Sequence, residues 1–425
     1  MTLLIFIGSL LGAMAVGVPV AFALMFCAVM LMLHLDMYNA QIVAQNMISG
    51  ADTFTLLAIP FFLLAGELMN SGGLSKRIIS FALACVGHIK GGLGIVAILA
   101  AVIMASLSGS AAADTAALAA ILVPMMRDAG YNLPRSAGLM AAGGVIAPVI
   151  PPSMAFIIFG VAANVSISRL FMAGIAPGLL MAFTLVATWM FVNRKSTVAT
   201  LPKRSAAYRL KATGQAAWAL GMPVIVLGGI RFGIVTPTEA AVVAVVYAWF
   251  VGTFVYRELT VKDLYSVILR AAHTTSIVMF LVAAALVSAW LITAANIPAE
   301  LGNILEPLIE HPKLLMLAMM VLIFVIGTAL DLTPTILILT PVLLPVVKMA
   351  GIDPVYFGVM FVMNTCISLL TPPVGVVLNV ASGVARVPLG QVVVGVSPFL
   401  LAYFVLLMLF VAVPELITVP MQWLY

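Results

Sequence analysis

GGVIAPVIPPS, residues Gly143–Ser153, and SLLTPPVG, residues Ser368–Gly375, are the two stretches that decide the fold. Each lies within an apolar region, and each combines a Pro-Pro pair with glycine. Proline lacks an amide donor and disrupts the helical turn before it, so neither stretch can continue as a regular helix. Irregular backbone at membrane depth persists only where protein buries it or where it lines a wet cavity. The two stretches therefore predict two broken transmembrane helices.

The composition places most of the chain in lipid. Of 425 residues, 64% are hydrophobic and 8% are charged, and the mean hydropathy is +1.26. A soluble domain averages about 25% charged residues, so a soluble fold could not hide this much apolar surface. Uncharged runs reach or approach the roughly 18 residues of a membrane helix. They are Leu3–Leu33, Leu170–Val192, Ala240–Tyr256, Thr274–Ala295, Leu314–Leu330 and Val392–Val413.

The first of these runs, Leu3–Leu33, permits two interpretations. It has no basic residue before it, as a secretory signal would, so we predict that it is retained as membrane structure. It is too long for one untilted crossing of about 20 residues. It could form one long tilted helix or two helices around Gly17–Pro19.

The residue types that enzymes use are scattered along the chain. The three cysteines and four histidines have no metal-ligand spacing, and the sequence has neither a P-loop nor a His-Asp-Ser constellation. The net charge of +5 is spread over short loops, which is typical of membrane topology rather than of nucleic-acid binding. We therefore expect neither an enzyme nor a nucleic-acid-binding protein.

The chain repeats itself at a spacing of 221 residues, without a gap over more than fifty residues. Glycine and proline constrain the backbone, so their recurrence predicts a recurring backbone path. We divide the chain into a first repeat, 1–212, and a second repeat, 213–425, joined through the polar stretch Asn193–Gly214. The matches are Pro124 with Pro345, Gly130 with Gly351, Pro151-Pro152 with Pro372-Pro373, Gly174 with Gly395, and Pro177 with Pro398.

Loop charges predict that the two repeats face opposite ways. Lys76, Arg77 and Lys90 precede the interrupted region of the first repeat, whereas Glu300 and Glu306 occupy the equivalent place in the second. Basic loops stay cytoplasmic, so the first loop is predicted inside and the second outside. Inverted repeats with broken helices are a recurring transporter design, with binding near the mid-membrane repeat interface.

Two further interruptions predict re-entrant helical hairpins, at Ser106–Ser110 and at Gly327–Pro334. Each has helix-length apolar segments on both sides, with the flanking charges on one predicted side of the membrane. The alternative is that these small residues only allow close helix packing, as they often do in membranes. Their paired occurrence in both repeats favours hairpins. The predicted fold is an all-α polytopic membrane protein with an inverted repeat, two re-entrant hairpins and broken transmembrane helices.

The interruptions also predict binding chemistry. Unwound carbonyl groups and helix C-terminal ends can coordinate sodium, and new helix N-termini offer amides to an anion. The predicted first sodium site contains Ser106, Ser108, Gly109, Ser110, Gly144 and Pro148. The predicted second site contains Gly327, Thr328, Asp331, Thr333 and Thr371. The candidates for substrate contact are Ser153, Thr335 and Asn379.

Two acids in apolar segments need separate interpretation, because an acid inside a membrane is costly and usually functional. Asp331 either binds a cation at the second site or caps the helix that starts near Pro334. Asp114 lies one turn beyond Ser110, where it could brace the first hairpin; direct ion contact is the less favoured role.

At these motifs the sequence resembles the large membrane subunit of tripartite ATP-independent periplasmic (TRAP) transporters. The resemblance implies an elevator-type transporter fold in the bacterial inner membrane, coupled to sodium and using no nucleotide or organic cofactor. It also implies a separate small four-helix membrane subunit and a periplasmic binding protein that delivers an organic anion. Family substrates are usually carboxylates, and the sequence as a whole resembles members that handle keto-sugar acids such as 2,3-diketo-gulonate. The matching segments are Ser108–Thr115, Pro148–Ser153, Asp331–Thr335 and Thr371–Gly375.

Two other functions stay open. One is a stand-alone sodium/dicarboxylate symporter of similar inverted-repeat architecture, which would need no binding protein. The other is an intramembrane enzyme or a structural subunit of a pump, for which the sequence offers no catalytic constellation.

Overall fold

The computed structural model describes residues 2–195, 198, 200–297 and 307–425, and every regular element in this part of the chain is helical. The predicted all-α polytopic fold is therefore confirmed. A 3-10 turn, Phe54–Leu57, precedes α4, and a π-helical turn, Val251–Val255, follows α12. The helices are α1 (Thr2–Ala15), α2 (Val20–His34), α3 (Ala40–Ala51), α4 (Ala58–Ser71), α5 (Leu74–Val86), α6 (Gly92–Ser108), α7 (Ala111–Asp128), α8 (Leu133–Gly144), α9 (Met154–Ala163), α10 (Ile167–Val192), α11 (Ala206–Arg231), α12 (Pro237–Phe250), α13 (Val261–Ala294), α14 (Pro312–Ala329), α15 (Leu332–Met349), α16 (Pro354–Ser368), α17 (Val376–Ala385), α18 (Leu389–Ala412) and α19 (Glu415–Leu424).

Eight segments of the described chain are long and apolar enough to cross a membrane, by length and composition. Large apolar side chains such as Phe183 and Val405 remain exposed along them, as expected where lipid is the solvent. The eight segments are Phe54–Ser71, Ile167–Val192, Ala206–Arg231, Pro237–Val255, Val261–Ala294, Pro312–Ala329, Leu332–Met349 and Leu389–Ala412.

The N-terminal apolar run forms two helices rather than one. Helix α1 ends at Ala15, and α2 begins at Val20 directly after Pro19. Gly17 between them has a φ of +90°, a conformation that glycine adopts without a Cβ clash. The two helices pack against each other. The one-helix interpretation of Leu3–Leu33 is therefore wrong.

The helix boundaries reproduce the 221-residue repeat. Helices α7 and α15 both have 18 residues, and their first residues, Ala111 and Leu332, are 221 positions apart. The Pro-Pro bonds at Pro151-Pro152 and Pro372-Pro373 keep the same spacing, and both are cis. Equivalent sequence positions therefore adopt equivalent backbone paths, as the glycine and proline pattern predicts.

The two repeats contact each other through two sets of equivalent helix pairs. Helix α7 packs against α17, and its counterpart α15 packs against α9. In the same way α8 packs against α18, while α16 packs against α10. Exchanging the copies leaves this contact pattern unchanged, as expected for an inverted repeat with its site at the interface. The division at residues 212 and 213 stays a prediction.

Helices outside the interrupted region surround it. The 34-residue α13 packs against α2, α3, α4 and α15, and α4 packs against both α6 and α12. Ion pairs join α5 and α4 to the α12–α13 region: Arg77 to Glu258 at 2.7 Å, and Arg270 to Glu67 at 2.9 Å. Since these surface pairs are partly exposed, they contribute little free energy, and helix packing stabilises this contact more than the ion pairs do.

Candidate functional site: two hairpin tips facing two broken helices

The first hairpin turns within two residues. Helix α6 continues to Ser108, Gly109 adopts a φ of +61°, and α7 starts at Ala111. Ser110 is the N-cap of α7, and its side chain accepts a hydrogen bond from the amide of Ala113 at 3.4 Å. The irregular segment is thus shorter than the predicted Ser106–Ser110, because Gly109 alone supplies the left-handed conformation that reverses the chain.

Asp114 braces this tip from the first turn of α7. The hydroxyl of Ser108 donates a hydrogen bond to Oδ1 of Asp114, whose side chain is only 1% exposed. Asp114 Oδ2 and the neighbouring Thr115 Oγ1 are buried and have no hydrogen-bond partner among the described residues. An unpaired buried oxygen costs free energy unless a donor or a cation approaches it. These two oxygens therefore mark a place where a cation would be stabilised.

The first broken helix lies directly against the first tip. A Cβ placed on Gly109 would lie 3.3 Å from the carbonyl oxygen of Pro152. A Cβ on Gly144, at the end of α8, would lie 1.9 Å from Thr115 Oγ1. Glycine at both positions lets the backbone of the break approach the tip. Of the predicted first sodium site, Gly109 therefore lies against the break and Gly144 lies against Thr115.

Two other members of the predicted first site already have local partners. Ser106 Oγ donates to the carbonyl of Ile103 at 2.7 Å, one turn back in α6. The carbonyl of Pro148 accepts a hydrogen bond from the Ser153 hydroxyl. An oxygen with two lone pairs can still accept a second partner, so these bonds leave their ligand role a prediction.

The second hairpin also turns within two residues. Helix α14 ends at Ala329, and α15 begins at Leu332, with Asp331 at the N-cap position. The Asp331 carboxylate makes no capping hydrogen bond, and its side chain is exposed. Thr333 and Pro334 lie in the first helical turn. The chain position of Asp331 is that of a cap, but its side chain is left available for another partner.

The second tip is hydrogen-bonded to the second broken helix. The amide of Val374 donates to the carbonyl oxygen of Thr328 at 3.3 Å. A Cβ on Gly327 would lie 2.2 Å from Ser368 Oγ, so α14 and the end of α16 approach each other closely at this glycine. Thr371 Oγ1, within the break, is buried and has no hydrogen-bond partner in the described part of the chain. The structure therefore brings together Gly327, Thr328 and the break that contains Thr371.

The three predicted substrate contacts differ in accessibility. Ser153 and Thr335 are fully buried, and their hydroxyls donate to the carbonyls of Pro148 and Asp331, the latter at 2.8 Å. Asn379 is exposed, and its amide donates to the carbonyl of Val374 at 2.6 Å. Of the three, Asn379 is the one whose side chain is open to a ligand in this conformation.

Four helices begin at the interruptions and therefore direct amide groups toward them. Helices α7 and α15 begin at the tips, and α9 and α17 begin at the breaks. Each tip helix packs against the break helix of the other repeat. Helix N-termini carry partial positive charge and free N–H donors, so this arrangement suits an anion between the repeats.

A cavity of about 670 Å³ opens beside the second tip, between α2 and α13. Asp331, Thr333 and Pro334 line one side of it, and Phe22 and Ser276 lie on the other. At the first tip, by contrast, Asp114 is buried. Sequence inspection missed Ser276, since a lone serine in a long apolar helix carries no motif.

Thr115 is the other residue that sequence inspection missed. It adjoins Asp114 and is fully buried, but it carries no glycine or proline signal of its own. Its position next to a membrane-embedded acid was the available clue. In the described residues, no group of three or more His, Cys, Asp or Glu side chains could hold a metal ion. Any cation here would instead meet hydroxyls, carbonyls and single carboxylates.

Comparison with known proteins gives one consistent result. Residues 7–416 match the family model described as tripartite ATP-independent periplasmic transporter, DctM component. The chain is 56% identical over 424 residues to a putative TRAP transporter large permease protein of Haemophilus influenzae, covering 100% of both chains. It is 55% identical over 424 residues to the 2,3-diketo-L-gulonate TRAP transporter large permease protein YiaN of Escherichia coli, again over 100% of both.

A solved structure shares the fold at much lower sequence identity. The Alcanivorax borkumensis YdaH transporter, whose crystal structure is described as having an unusual topology, superposes with a TM-score of 0.64. The match covers 88% of each chain at 16% sequence identity, so it supports the fold alone.

Proposed function

Because the chain belongs to the DctM large-permease family of TRAP transporters, as its motifs predicted, we propose that it imports an organic carboxylate in symport with sodium. The cargo is a sugar acid or a dicarboxylate, with a keto-sugar acid favoured by the similarity to the 2,3-diketo-L-gulonate permease. The chain resides in the bacterial inner membrane as a multi-pass subunit.

The single observation that carries sodium coupling is the set of unpaired buried oxygens at the tip–break contacts. Asp114 Oδ2 and Thr115 Oγ1 lie at the first, and Thr371 Oγ1 lies at the second. Sodium is a hard cation, and freed carbonyls and hydroxyls are the ligands it meets in broken-helix transporters. The oxygen atoms available as ligands at the two contacts therefore fit one sodium site per repeat.

The mechanism is elevator-type alternating access. Sodium binds at the two tip–break contacts and orders the hairpins. The carboxylate then binds between the repeats, using the N-terminal amides of the helices that begin at the tips and breaks. The loaded hairpin region slides against the surrounding helices, and the sodium gradient drives the step.

Two partners complete the transporter. A small four-helix membrane subunit packs against the lipid-facing helices, and a periplasmic binding protein delivers the anion. Family membership supports this tripartite assembly. A stand-alone sodium/dicarboxylate symporter is the competing function, and it differs in needing no binding protein.

Uptake into proteoliposomes tests the proposal. The full chain is reconstituted with its small subunit, and uptake of labelled 2,3-diketo-gulonate is measured with and without an inward sodium gradient and with and without the binding protein. We expect accumulation only when all components and the gradient are present. Uptake that ignores sodium would reject symport with sodium, and uptake without the binding protein would establish the stand-alone symporter.

A further inference from the structure

Two adjoining cavities form a groove at one end of the helix bundle. The first, about 540 Å³, is lined by Ser168, Arg231, Thr236 and Tyr425 among others. The second, about 460 Å³, shares Ser168 and Thr236 with the first. We call the two together the outer groove.

The outer groove lies at the membrane face opposite the basic linker. Helices α10 and α11 are both long and apolar enough to cross a membrane, and the basic linker between them covers residues 193–205, since residues 206–214 of the predicted linker belong to α11. Arg169 lies near the start of α10 and Arg231 at the end of α11, so both lie at the far ends of these helices from the linker. Basic linkers stay cytoplasmic, which places both arginines on the periplasmic face.

Both arginines converge on the segment that carries Trp423 and Tyr425. Arg231 Nη2 donates to the carbonyl of Trp423 at 3.4 Å, and the Arg169 guanidinium lies 5.3 Å from the centre of the Tyr425 ring. Neither guanidinium has a carboxylate within 4.0 Å in the part of the chain that the structure describes. Both are exposed, and Arg231 lines the first cavity whereas Arg169 is next to its lining residue Ser168.

The charge around the groove is mixed. On the same topology, the periplasmic face carries the acids Glu310, Asp353 and Glu415 and the cations Lys313 and Lys348. Glu239 also lines the groove and caps α12, where Oε2 accepts from the amide of Thr236 at 2.8 Å. Arg231 lines the first cavity and Arg169 adjoins its lining residue Ser168, so the two guanidinium groups would attract an anion to this place.

The rest of the groove lining is rich in hydroxyl and amide groups. The second cavity is bordered by Thr53, Thr55, Asn164, Ser166, Ser168 and Thr236. Helices α10 and α12 both begin at this lining, with N-caps Ser166 and Thr236, and their N-termini add positive potential. Arginine binds carboxylate or phosphate in a forked geometry, and neighbouring hydroxyls and amides pair with hydroxyl groups.

We propose that the outer groove is a second ligand site that takes a hydroxylated anion on the periplasmic face, before it reaches the site between the repeats. The choice of a sugar acid as the ligand rests on the proposed function, in which the cargo is an organic carboxylate. An anion with hydroxyl groups has two sources, a free sugar acid and the headgroup of phosphatidylglycerol, and the free sugar acid is the one that the polar cavity favours.

Equilibrium dialysis tests the site without transport. The full chain in nanodiscs of neutral phosphatidylcholine is dialysed against labelled D-gluconate in sodium-free choline buffer, with sorbitol and propionate as competitors. We expect Arg231→Gln to weaken gluconate binding about tenfold or more, as expected for loss of a charge-assisted contact. Arg231→Lys should keep part of the affinity, Arg169→Gln should weaken it less, and Lys313→Gln, a periplasmic cation outside the groove, should leave it unchanged.

The outcomes separate the sources and the proposals. Native mass spectrometry compares bound phosphatidylglycerol in the unmodified protein and in Arg231→Gln. If the variant loses this lipid and gluconate binds to neither protein, the groove is an anion site whose ligand is a lipid headgroup. If neither ligand responds to Arg231→Gln, or if sorbitol competes as well as gluconate, the inference is overturned. Reduced docking of the binding protein with unchanged anion binding would also overturn it, in favour of a protein interface. Because the assay contains no sodium and no transport step, its result is independent of sodium-driven uptake.

Discussion

The hydroxyl of Ser108 donates its hydrogen bond to Oδ1 of Asp114, across the turn of the first hairpin, while Asp114 Oδ2 stays buried and unpaired. The bond ties the last residue of α6 to the first turn of α7. It holds the carboxylate in place, and it leaves one oxygen directed at no donor. The tip is thus braced, and a cation beside Oδ2 would offset the cost of burying a charged carboxylate there.

Asp114→Asn should separate bracing from cation binding. An asparagine keeps the size of the side chain and an oxygen that accepts from Ser108, but it removes the negative charge. We expect the sodium concentration for half-maximal uptake to rise about tenfold or more, because roughly 1.4 kcal/mol of ion stabilisation accounts for each factor of ten. Sodium-dependence curves in proteoliposomes measure this. An unchanged curve would show that Asp114 only braces the hairpin.

Asp331→Asn should impair uptake without a comparable loss of stability, because the Asp331 carboxylate makes no capping bond and faces the cavity beside α2 and α13. Asp353→Asn is the matched control. Asp353 is also an N-cap, and its Oδ1 accepts from the amide of Val355 at 2.9 Å.

The control should keep both stability and uptake. Asparagine caps a helix about as well as aspartate, because its Oδ1 still accepts the backbone hydrogen bond, so Asp353→Asn should leave the thermal midpoint and the sodium dependence of uptake nearly unchanged. Thermal unfolding and uptake are measured on both variants. Unchanged uptake in both would show that the charge of Asp331 is not needed for transport.

Gly327→Ala should disrupt the second tip–break contact. The added Cβ would lie 2.2 Å from Ser368 Oγ, so either the Ser368 hydroxyl must leave its hydrogen bond to the carbonyl of Thr365 or the two helices must separate. Overpacking of this kind costs about 1–3 kcal/mol, and we expect uptake to fall strongly. Gly383→Ala, in α17, meets nothing within 4 Å and should be neutral or slightly stabilising, since alanine favours a helix by about 1 kcal/mol over glycine. Similar uptake by both variants would contradict the close contact.

Gly66 on α4 offers a graded test of movement between the hairpin region and its surroundings. A Cβ on Gly66 would lie 3.5 Å from the Cα of Ser108, an ordinary contact, so Gly66→Ala should retain uptake. Gly66→Leu would place a branched side chain against the moving tip. We expect it to slow uptake at least about tenfold while sodium binding persists, because sliding and not ion affinity is obstructed. Normal uptake by Gly66→Leu would argue against sliding along α4.

The turn between α4 and α5 gives a prediction on stability. Gly73 has a φ of +78°, and a Cβ there would lie 1.9 Å from Glu258 Oε2, the residue paired with Arg77. Gly73→Ala should therefore destabilise the protein by about 1–3 kcal/mol, from the left-handed backbone and from displacement of the Arg77–Glu258 ion pair. Glu258→Gln, which only weakens a partly exposed ion pair, should cost about 1 kcal/mol or less. Thermal unfolding compares the two, and the reverse ranking would contradict this account.

The sequence by itself determined the class of fold and the places where helices stop. Glycine and proline act on the local backbone, so the 221-residue repeat, the two tips and the two breaks were readable from residue identities. The membrane environment was also predictable from sequence, because the length of an apolar run is a local property of the chain. The local pattern left the N-terminal run open, because its composition allowed either one helix or two. The structure shows two helices, α1 and α2, that pack against each other.

Only the tertiary structure decided which groups meet. No local rule pairs α7 with α17 or α15 with α9, because these contacts join residues more than 150 positions apart. The same holds for the state of each polar group. The hydroxyls of Ser153 and Thr335 donate to nearby carbonyls, whereas those of Thr115 and Thr371 are buried and find no partner among the residues that the structure describes. A hydroxyl's partner depends on burial and neighbours in space, and those exist only once the two repeats have packed together.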